Sequence, residues 1–306
     1  MDIKLKIDIV VPCYNVERAI NRTLKSLIGQ NYPKNQYHCY FVNDASTDKT
    51  ASILNSYSDC SEITIITHAI NKGRSATRNT GIKQSKAEFI CFLDGDMEVQ
   101  PDWLQSLLFY FKSPDIVAVM GDNVMPLDKE PILFEKYYFS SLRGARQLMD
   151  GDWVPRRFML FNNVMIRRKI LIKIGGFDES FLHYGGEDTD LAFRVADKFP
   201  KGFRFSNQSP SIHYHPRSVE SFCQSMHLYG KENFPVLLAR YPKHEKELAG
   251  DWIHSVKGFL VFNPILRKIV NTIFKGFPSI FLTRYKVIDA VITGARDYYK
   301  TKNAIN

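Results

Sequence analysis

No run of about 18 apolar residues occurs in this 306-residue chain, which excludes an ordinary transmembrane helix. Cysteine is scarce. The five residues (Cys13, Cys39, Cys60, Cys91 and Cys223) are scattered and odd in number, with no Cys-x-x-Cys, which argues against a disulfide framework and a zinc cage. Cys13, Cys39 and Cys91 lie in or beside predicted strands, so buried free thiols in a reducing, cytoplasmic setting are expected. Met1 to Lys6 leads directly into a strand, without the apolar core and small-residue cleavage site of a signal peptide. Internal repeats and low-complexity tracts are also missing. Acid is the scarcer charge, and the net charge of +9 favours an anionic partner: a phosphorylated substrate, nucleic acid or an acidic membrane surface.

What is present is a hydrophobic fraction of 44%, enough for a sizeable core, arranged as alternating strands and helices. Ile7–Pro12, Tyr37–Val42, Glu62–Thr67 and Phe89–Leu93 read as strands. Helical spacing runs from Val16 to Ile28, from Asp48 to Tyr57 and, after an Asn71-Lys72-Gly73-Arg74 loop, to near Lys86. This β-α-β-α-β-α-β order predicts a doubly wound parallel sheet. A helix that opens at Pro101-Asp102-Trp103, a strand over Ile116–Met120, a helix over Leu133–Leu148 and a strand over Phe158–Ile166 are expected next. Asn162 and Asn163 interrupt that last strand, either to bind a ligand or to satisfy local backbone groups. A short helix ends at Gly175-Gly176, another opens at Glu187, and Phe203–Phe205 and Ser211–His215 read as short strands. Val219–Arg240 reads as a long helix.

Four polar loops follow the first four strands, and in a parallel sheet all four lie on one edge, where open α/β sheets bind ligands. They carry a stacking aromatic (Tyr14), a carboxylate able to accept an N–H (Asp44), phosphate-pairing cations (Lys72, Arg74, Arg78) and the acids Asp94 and Asp96 around Gly95. Two such carboxylates repel each other unless a cation such as Mg²⁺ or Mn²⁺ neutralises them. The set suits a nucleoside diphosphate. Taken singly, Asp94-Gly95-Asp96 also reads as a solvated turn, and Asn43, Thr47 and Asp48 as helix caps.

Val10-Val11-Pro12-x-Tyr14-Asn15, Val42-Asn43-Asp44-x-Ser46-x-Asp48, Asn71-x-Gly73-x-Ser75-Ala76-x-Arg78-Asn79-x-Gly81-Ile82 and Phe92-Leu93-Asp94-Gly95-Asp96 occur in this order. Together they resemble the nucleotide-sugar half of family 2 glycosyltransferases of GT-A fold. Gly175-Gly176-Phe177-Asp178-Glu179-Ser180-Phe181 and Gly185-Gly186-Glu187-Asp188-x-Asp190-Leu191-x-Phe193-Arg194 resemble the acceptor-side motif of that family and of related galactosyl- and N-acetylgalactosaminyl-transferases. The resemblance covers about residues 5 to 235. It implies an α/β GT-A domain over residues 1–216, with a mostly parallel central sheet and helices on both faces. Residues 1–103 would bind the nucleotide-sugar and residues 104–216 the acceptor, followed by a helical C-terminal region over residues 217–306.

The resemblance also implies roles. Tyr14 would stack on the base, with Pro12 and Asn15 shaping the turn, and Asp44 would accept from a base N–H. Lys72, Arg74 and Arg78 would meet ribose or diphosphate. Asp94, Gly95 and Asp96 would hold metal and sugar, Asp188 would be the general base, and Glu187 would orient the acceptor. A histidine past the base motif would complete the metal site. His213 and His215 are the candidates and share one side of a strand, with His215 preferred. The implied activity is an inverting transfer, dependent on Mn²⁺ or Mg²⁺, from a nucleotide-sugar such as a UDP-sugar to a glycan or lipid-linked acceptor. His183 is a candidate acceptor contact, and Trp153 either covers a sugar face or packs in the core or a loop. A non-catalytic sugar-binding relative and a sugar nucleotidyltransferase are the alternatives. The intact acid pairs speak against the first, and Pro12-Cys13-Tyr14-Asn15 against the second.

From Lys257 to Lys302 the chain carries nine Lys or Arg against two Asp, interleaved with apolar clusters such as Phe259-Leu260-Val261-Phe262. Those clusters are too large for a nucleic-acid face. They predict either interfacial helices on an anionic membrane surface, at the inner face of the cell membrane, or a helical subdomain packed on the core.

Overall fold

The structure is a computed structural model that describes residues 6–128, 130–214 and 217–305. The elements begin with β1 (Ile7–Cys13), α1 (Ile20–Ile28), β2 (Tyr37–Asn43), α2 (Thr50–Asn55), β3 (Ile63–Thr67) and α3 (Arg74–Gln84). They continue with β4 (Phe89–Leu93), β5 (Met97–Val99), α4 (Trp103–Leu108), β6 (Ala118–Val124), α5 (Leu133–Tyr138), β7 (Asn163–Arg167) and α6 (Arg168–Ile174). The last are α7 (Glu187–Ala196), β8 (Phe203–His213), α8 (Val219–Arg240), α9 (Val256–Val261), α10 (Pro264–Gly276) and α11 (Ile280–Ile305).

The chain divides into two compact units. The first (residues 1–127, 144–182 and 187–215) holds the eight-stranded sheet, in the order β3-β2-β1-β4-β7-β6-β8-β5. β1 pairs parallel with β2 and β4, and β2 with β3, so the carboxyl ends of the first four strands share one edge as expected. β6 and β8 are also parallel, whereas β7 runs against β4 and β6, and β5 against β8.

Both faces of this sheet are covered, because successive side chains of a strand point to opposite sides. On β4, Phe89, Cys91 and Leu93 pack with Leu24 of α1 and Trp103 of α4, while Ile90 and Phe92 pack with Ile82 of α3 and Leu191 of α7. Burying both faces requires the uninterrupted apolar run that β4 shows. The cysteines are free, and Cys13, Cys39 and Cys91 are buried.

Several element boundaries differ from those read in the sequence. α1 starts at Ile20 rather than Val16. Ahead of it the N–H groups of Asn15, Val16 and Glu17 donate to Ser46 Oγ, Thr50 Oγ1 and Asp48 Oδ2, which ties this loop to the one after β2. The helix expected over Leu133–Leu148 stops at Tyr138, ahead of a turn that includes Gly144 with a left-handed φ of 62°. Phe158–Ile166 is a strand only from Asn163. The two short strands expected at residues 203–205 and 211–215 are one strand, β8. Its first part pairs with β6, a register shift between Gly121 and Asn123 follows, and its end pairs with β5.

The second unit (residues 128–143, 183–186 and 216–306) is helical. α8 and α11 pack against each other through Phe222, Met226 and Val287 at one end and Phe234, Ile292 and Ala295 at the other. Glycine permits the crossing. A Cβ at Gly230 would lie 2.1 Å from Val291 O, and one at Gly294 would lie 2.1 Å from His227 O.

Candidate active site

Each element brings its site residue for a local reason. Gly73, with φ 85°, turns the chain into α3, where Arg74 and Arg78 stand four residues apart on one face. Glu187 and Asp188 occupy the first turn of α7, where negative charge meets the positive end of the helix dipole. Asp94 ends β4, and its N–H donates to Asn162 O at 3.1 Å.

These pieces converge on Arg78, whose side chain is 1% exposed. Its Nη1 donates to Asp188 Oδ1 at 2.8 Å and its Nη2 to Asp94 Oδ1 at 3.0 Å. Phe177 lies beneath the guanidinium, 5.1 Å from carbon to ring centre. Arg74 Nη1 donates to Glu187 Oε1 at 2.9 Å. The remaining Glu187 oxygen, Oε2, is buried with no hydrogen-bond partner among the described residues. The N–H of Phe161 donates to Asp188 Oδ2 at 3.2 Å. Two guanidinium groups thus serve three carboxylates. Burial pushes the Asp188 carboxyl up to about 6. Arg78 opposes that rise, neighbouring Glu187 adds to it, and Arg74 and the Phe161 N–H oppose it.

Asp96 lies beside this cluster in sequence and faces a different partner. Pairing of β5 with β8 sets His213 opposite Met97, and His213 Nε2 lies 3.3 Å from Asp96 Oδ2. Among the described residues no group of three or more His, Cys, Asp or Glu side chains forms a metal cage. An oxygen and nitrogen pair still fits Mn²⁺ or Mg²⁺, ions that complete their shells with substrate phosphates and water. Asp96 and His213 are the residues that would hold such an ion, while Asp94 is engaged with Arg78. His215 lies outside the described residues.

The donor-side loops are mutually braced. Tyr14 is 51% exposed. Asn15 holds a left-handed φ of 52° and accepts from Thr47 N at 2.8 Å. Asp44 is buried and accepts from Lys72 N, Gly73 N and His68 Nδ1 at 2.9, 2.9 and 2.7 Å. Its oxygens therefore close the loop that leads into α3, and the Lys72 side chain is left exposed. Gly95 is needed for contact within the chain: a Cβ there would sit 3.1 Å from Pro12 O. Burial, together with the charges of Asp94 and Asp96, pushes the Cys13 thiol up, so it is not a nucleophile here.

Asn163 is structural. Its amide accepts from Trp103 Nε1 at 2.9 Å and donates to Asp122 O and Ser209 O at 2.9 and 3.0 Å. Asn162 Oδ1 accepts from Asn123 at 3.1 Å. Trp153 is 48% exposed. His183 falls in the helical unit, where its carbonyl accepts from Asn233. Three residues gain importance that their sequence positions did not announce. His68 backs Asp44. Asn79 bonds Phe177 through both its N–H and its carbonyl, which joins α3 to the Gly175-Gly176 turn. Arg194 bonds Asp190, Ile174 O and Gly176 O, which fixes α7 to that same turn. Asn79 and Arg194 both stand inside the quoted motifs, whereas His68 carried no signal beyond its place after β3.

A sheet with ligand-type side chains at the carboxyl ends of its first four strands, extended by a mixed set of strands and with the second acid pair at the start of α7, defines a GT-A type α/β fold. Residues 8–175 match the family model described as glycosyl transferase family 2, and the chain belongs to that family. Residues 162–216 match a second model, described as the N-terminal domain of galactosyltransferase. A probable glycosyltransferase of Bacillus subtilis, YdaM, is 27% identical over 197 residues, which cover 62% of this chain and 46% of that protein. The chain thus spans between 15% and 61% of the length of the curated relatives it matches here. Among solved structures, S. aureus TarS 1-349 in complex with UDP-GlcNAc has a TM-score of 0.57 at 17% identity and covers 97% of this chain and 92% of that one. The mannosyltransferase PcManGT from Pyrobaculum calidifontis, in complex with GDP-Man and Mn²⁺, has a TM-score of 0.61 at 18% identity and covers 99% and 87%. At these identities the likeness is one of fold.

Proposed function

We propose that the chain is an inverting, metal-dependent glycosyltransferase that moves a sugar from a UDP-sugar to a hydroxyl of a glycan or lipid-linked acceptor. The observation that carries this reading is the Asp188 carboxylate, raised to about 6 and aimed by Arg78 and the Phe161 N–H. A general base works best with a pKa near the operating pH and a fixed orientation. Asp188 takes the proton of the acceptor hydroxyl as its oxygen attacks the anomeric carbon from the face opposite the leaving diphosphate. Glu187 orients the acceptor through Oε2, which has no hydrogen-bond partner among the described residues. Tyr14 stacks on the base, Pro12 and Asn15 hold the turn beneath it, and Lys72 and Arg74 meet the diphosphate. Asp96 and His213 hold a divalent cation, which when bound neutralises charge developing on the leaving diphosphate. The neighbours that carry UDP-GlcNAc, or GDP-Man and Mn²⁺, support a nucleotide-sugar donor and a divalent cation. Residues 1–103 form the donor half and residues 104–216 the acceptor half. The free cysteines support a cytoplasmic site of action, where sugar nucleotides reach the inner face of the cell membrane.

The test is release of nucleoside diphosphate from a panel of UDP-, dTDP- and GDP-sugars, with Mn²⁺ and with chelator. Metal-dependent release of UDP from one UDP-sugar supports the reading. Binding without turnover of any donor would establish a non-catalytic relative instead, and pyrophosphate-dependent nucleoside triphosphate formation a nucleotidyltransferase.

A further inference from the structure

The helical unit exposes a band of large apolar side chains along residues 256–281. On α10, Ile265 is 76% exposed and Ile269 and Ile273 about half exposed. At 3.6 residues per turn these three fall within an arc of about 80°. Lys268 and Lys275, both exposed, border that arc on one side. The opposite side of α10 faces the unit: Val270 is buried, and Arg267 Nη2 donates to Asp289 Oδ1 of α11 at 2.9 Å. The isoleucine stripe therefore points outward by construction. The band extends beyond α10 to Leu260 on α9 and to Phe277 and Phe281, which are 69%, 79% and 72% exposed.

Such a series is uncommon on a monomer surface and marks a surface that is covered in use. Charge selects the cover. Residues 252–288 contain six Lys or Arg and no acid; Arg267 is paired with Asp289 and Lys286 with Glu220, and the exposed Lys268 and Lys275 border the band. No helix among the described residues is long and apolar enough to cross a membrane. An outward apolar stripe with a lysine border, on α9 and α10 that are too short to span, matches an element that lies in the plane of an anionic bilayer. We propose that α9, α10 and the start of α11 dock on anionic phospholipid, with Ile265, Ile269, Ile273, Phe277 and Phe281 in the acyl boundary and Lys268 and Lys275 at the headgroups. This rests on the exposed face and its charge, and is independent of the transferase reading.

The full chain is sedimented with vesicles of phosphatidylcholine alone and of phosphatidylcholine mixed with phosphatidylglycerol. Binding to the mixed vesicles is expected, weakened by salt. Ile269→Asp/Ile273→Asp should abolish it. Lys268→Gln/Lys275→Gln should weaken it by about 5-fold for each lysine removed. All the substituted side chains are exposed, so melting temperature and UDP release from the donor should match the parent in both variants. Equal vesicle binding by parent and isoleucine variant would overturn the proposal. It would also fail if the parent ignores vesicles and the isoleucine variant instead turns a dimer into a monomer, which would assign the face to a second copy. Tighter binding of a short DNA duplex than of the mixed vesicles, lost in the lysine variant, would assign it to nucleic acid. UDP release that fails while vesicle binding stands would refute only the transferase reading.

Discussion

Arg78 and Asp188 meet at 2.8 Å, and the second terminal nitrogen of the same arginine holds Asp94 at 3.0 Å. One buried guanidinium thus links an acid at the end of β4 to an acid at the start of α7. The donor-side motif and the acceptor-side motif are joined by a planar fork whose two arms are both occupied. Any shift of β4 against α7 has to break a charged hydrogen bond in a desolvated place.

Asp188→Asn tests the base directly. The amide is nearly isosteric and its oxygen can still accept from Arg78, but its NH2 cannot accept from the Phe161 N–H, so the variant should fold with a stability loss of about 1–3 kcal/mol. Transfer should fall about a hundred- to ten-thousand-fold. UDP binding, measured by calorimetry with Mn²⁺ present, should stay unchanged. A variant that turns over at the parental rate removes Asp188 from the mechanism.

The pH profile follows from the same carboxyl. Asp188 acts as a base only when deprotonated, and its folded value is raised to about 6. Activity should therefore rise with pH through an acid limb centred near 6 and fall away below it. The stability effect has the opposite sign. A carboxyl raised above its unfolded value of about 3.9 favours the folded state below that value, and this contribution is lost as pH rises to about 6. Rate measurements from pH 5 upward, beside melting curves of parent and Asp188→Asn, separate the two effects.

Arg78→Lys asks whether charge alone suffices. An ammonium is a point donor without the fork, so it can serve Asp188 or Asp94 in this geometry but not both. Loss of one charged hydrogen bond at a buried site costs about 1.5–3 kcal/mol. Denaturant unfolding should show that loss, and transfer should drop at least tenfold as a rough guide from the sensitivity of catalysis to misplacement. Parental stability and rate together would show that the fork is dispensable.

Asn163→Leu separates framework from chemistry. It leaves Trp103 Nε1, Asp122 O and Ser209 O without their amide partner, at about 1–3 kcal/mol for each buried group that finds no substitute. Unfolding should shift by that order, while the affinity of the folded protein for UDP stays the same. A large loss of UDP affinity at unchanged stability would make Asn163 a ligand contact.

The parallel half of the sheet was legible because β1 to β4 are short apolar runs punctuated by polar loops, a local pattern. The acids of Asp94-Gly95-Asp96 and Glu187-Asp188 were legible as types, as were Arg74 and Arg78. Their pairing was not, because Arg78 and Asp188 lie 110 residues apart and nothing local says which carboxylate a guanidinium will meet. β8 was split in two because Ser206-Asn207-Gln208-Ser209-Pro210 has loop composition. The strand survives there, with Ser206 and Ser209 bonding each other at 3.0 Å in a buried place. The helix over residues 133–148 was overextended because apolar spacing continued past Tyr138, while Ser140, Ser141 and the left-handed Gly144 set the real end. Asn163 could not be assigned until Trp103 was seen beside it.

The crossing of α8 and α11 at Gly230 and Gly294 has a consequence for how the chain is made. Synthesis delivers α8 well before α11, so the groove that receives Gly294 stays open until α11 has formed. During that interval Phe222, Phe234 and Leu238 have no cover from residues 280–305, and a ribosome stalled before α11 would present them to chaperones. A chain cut after α8 should then be handled by the cell as unfinished protein, however well the sheet ahead of it had folded.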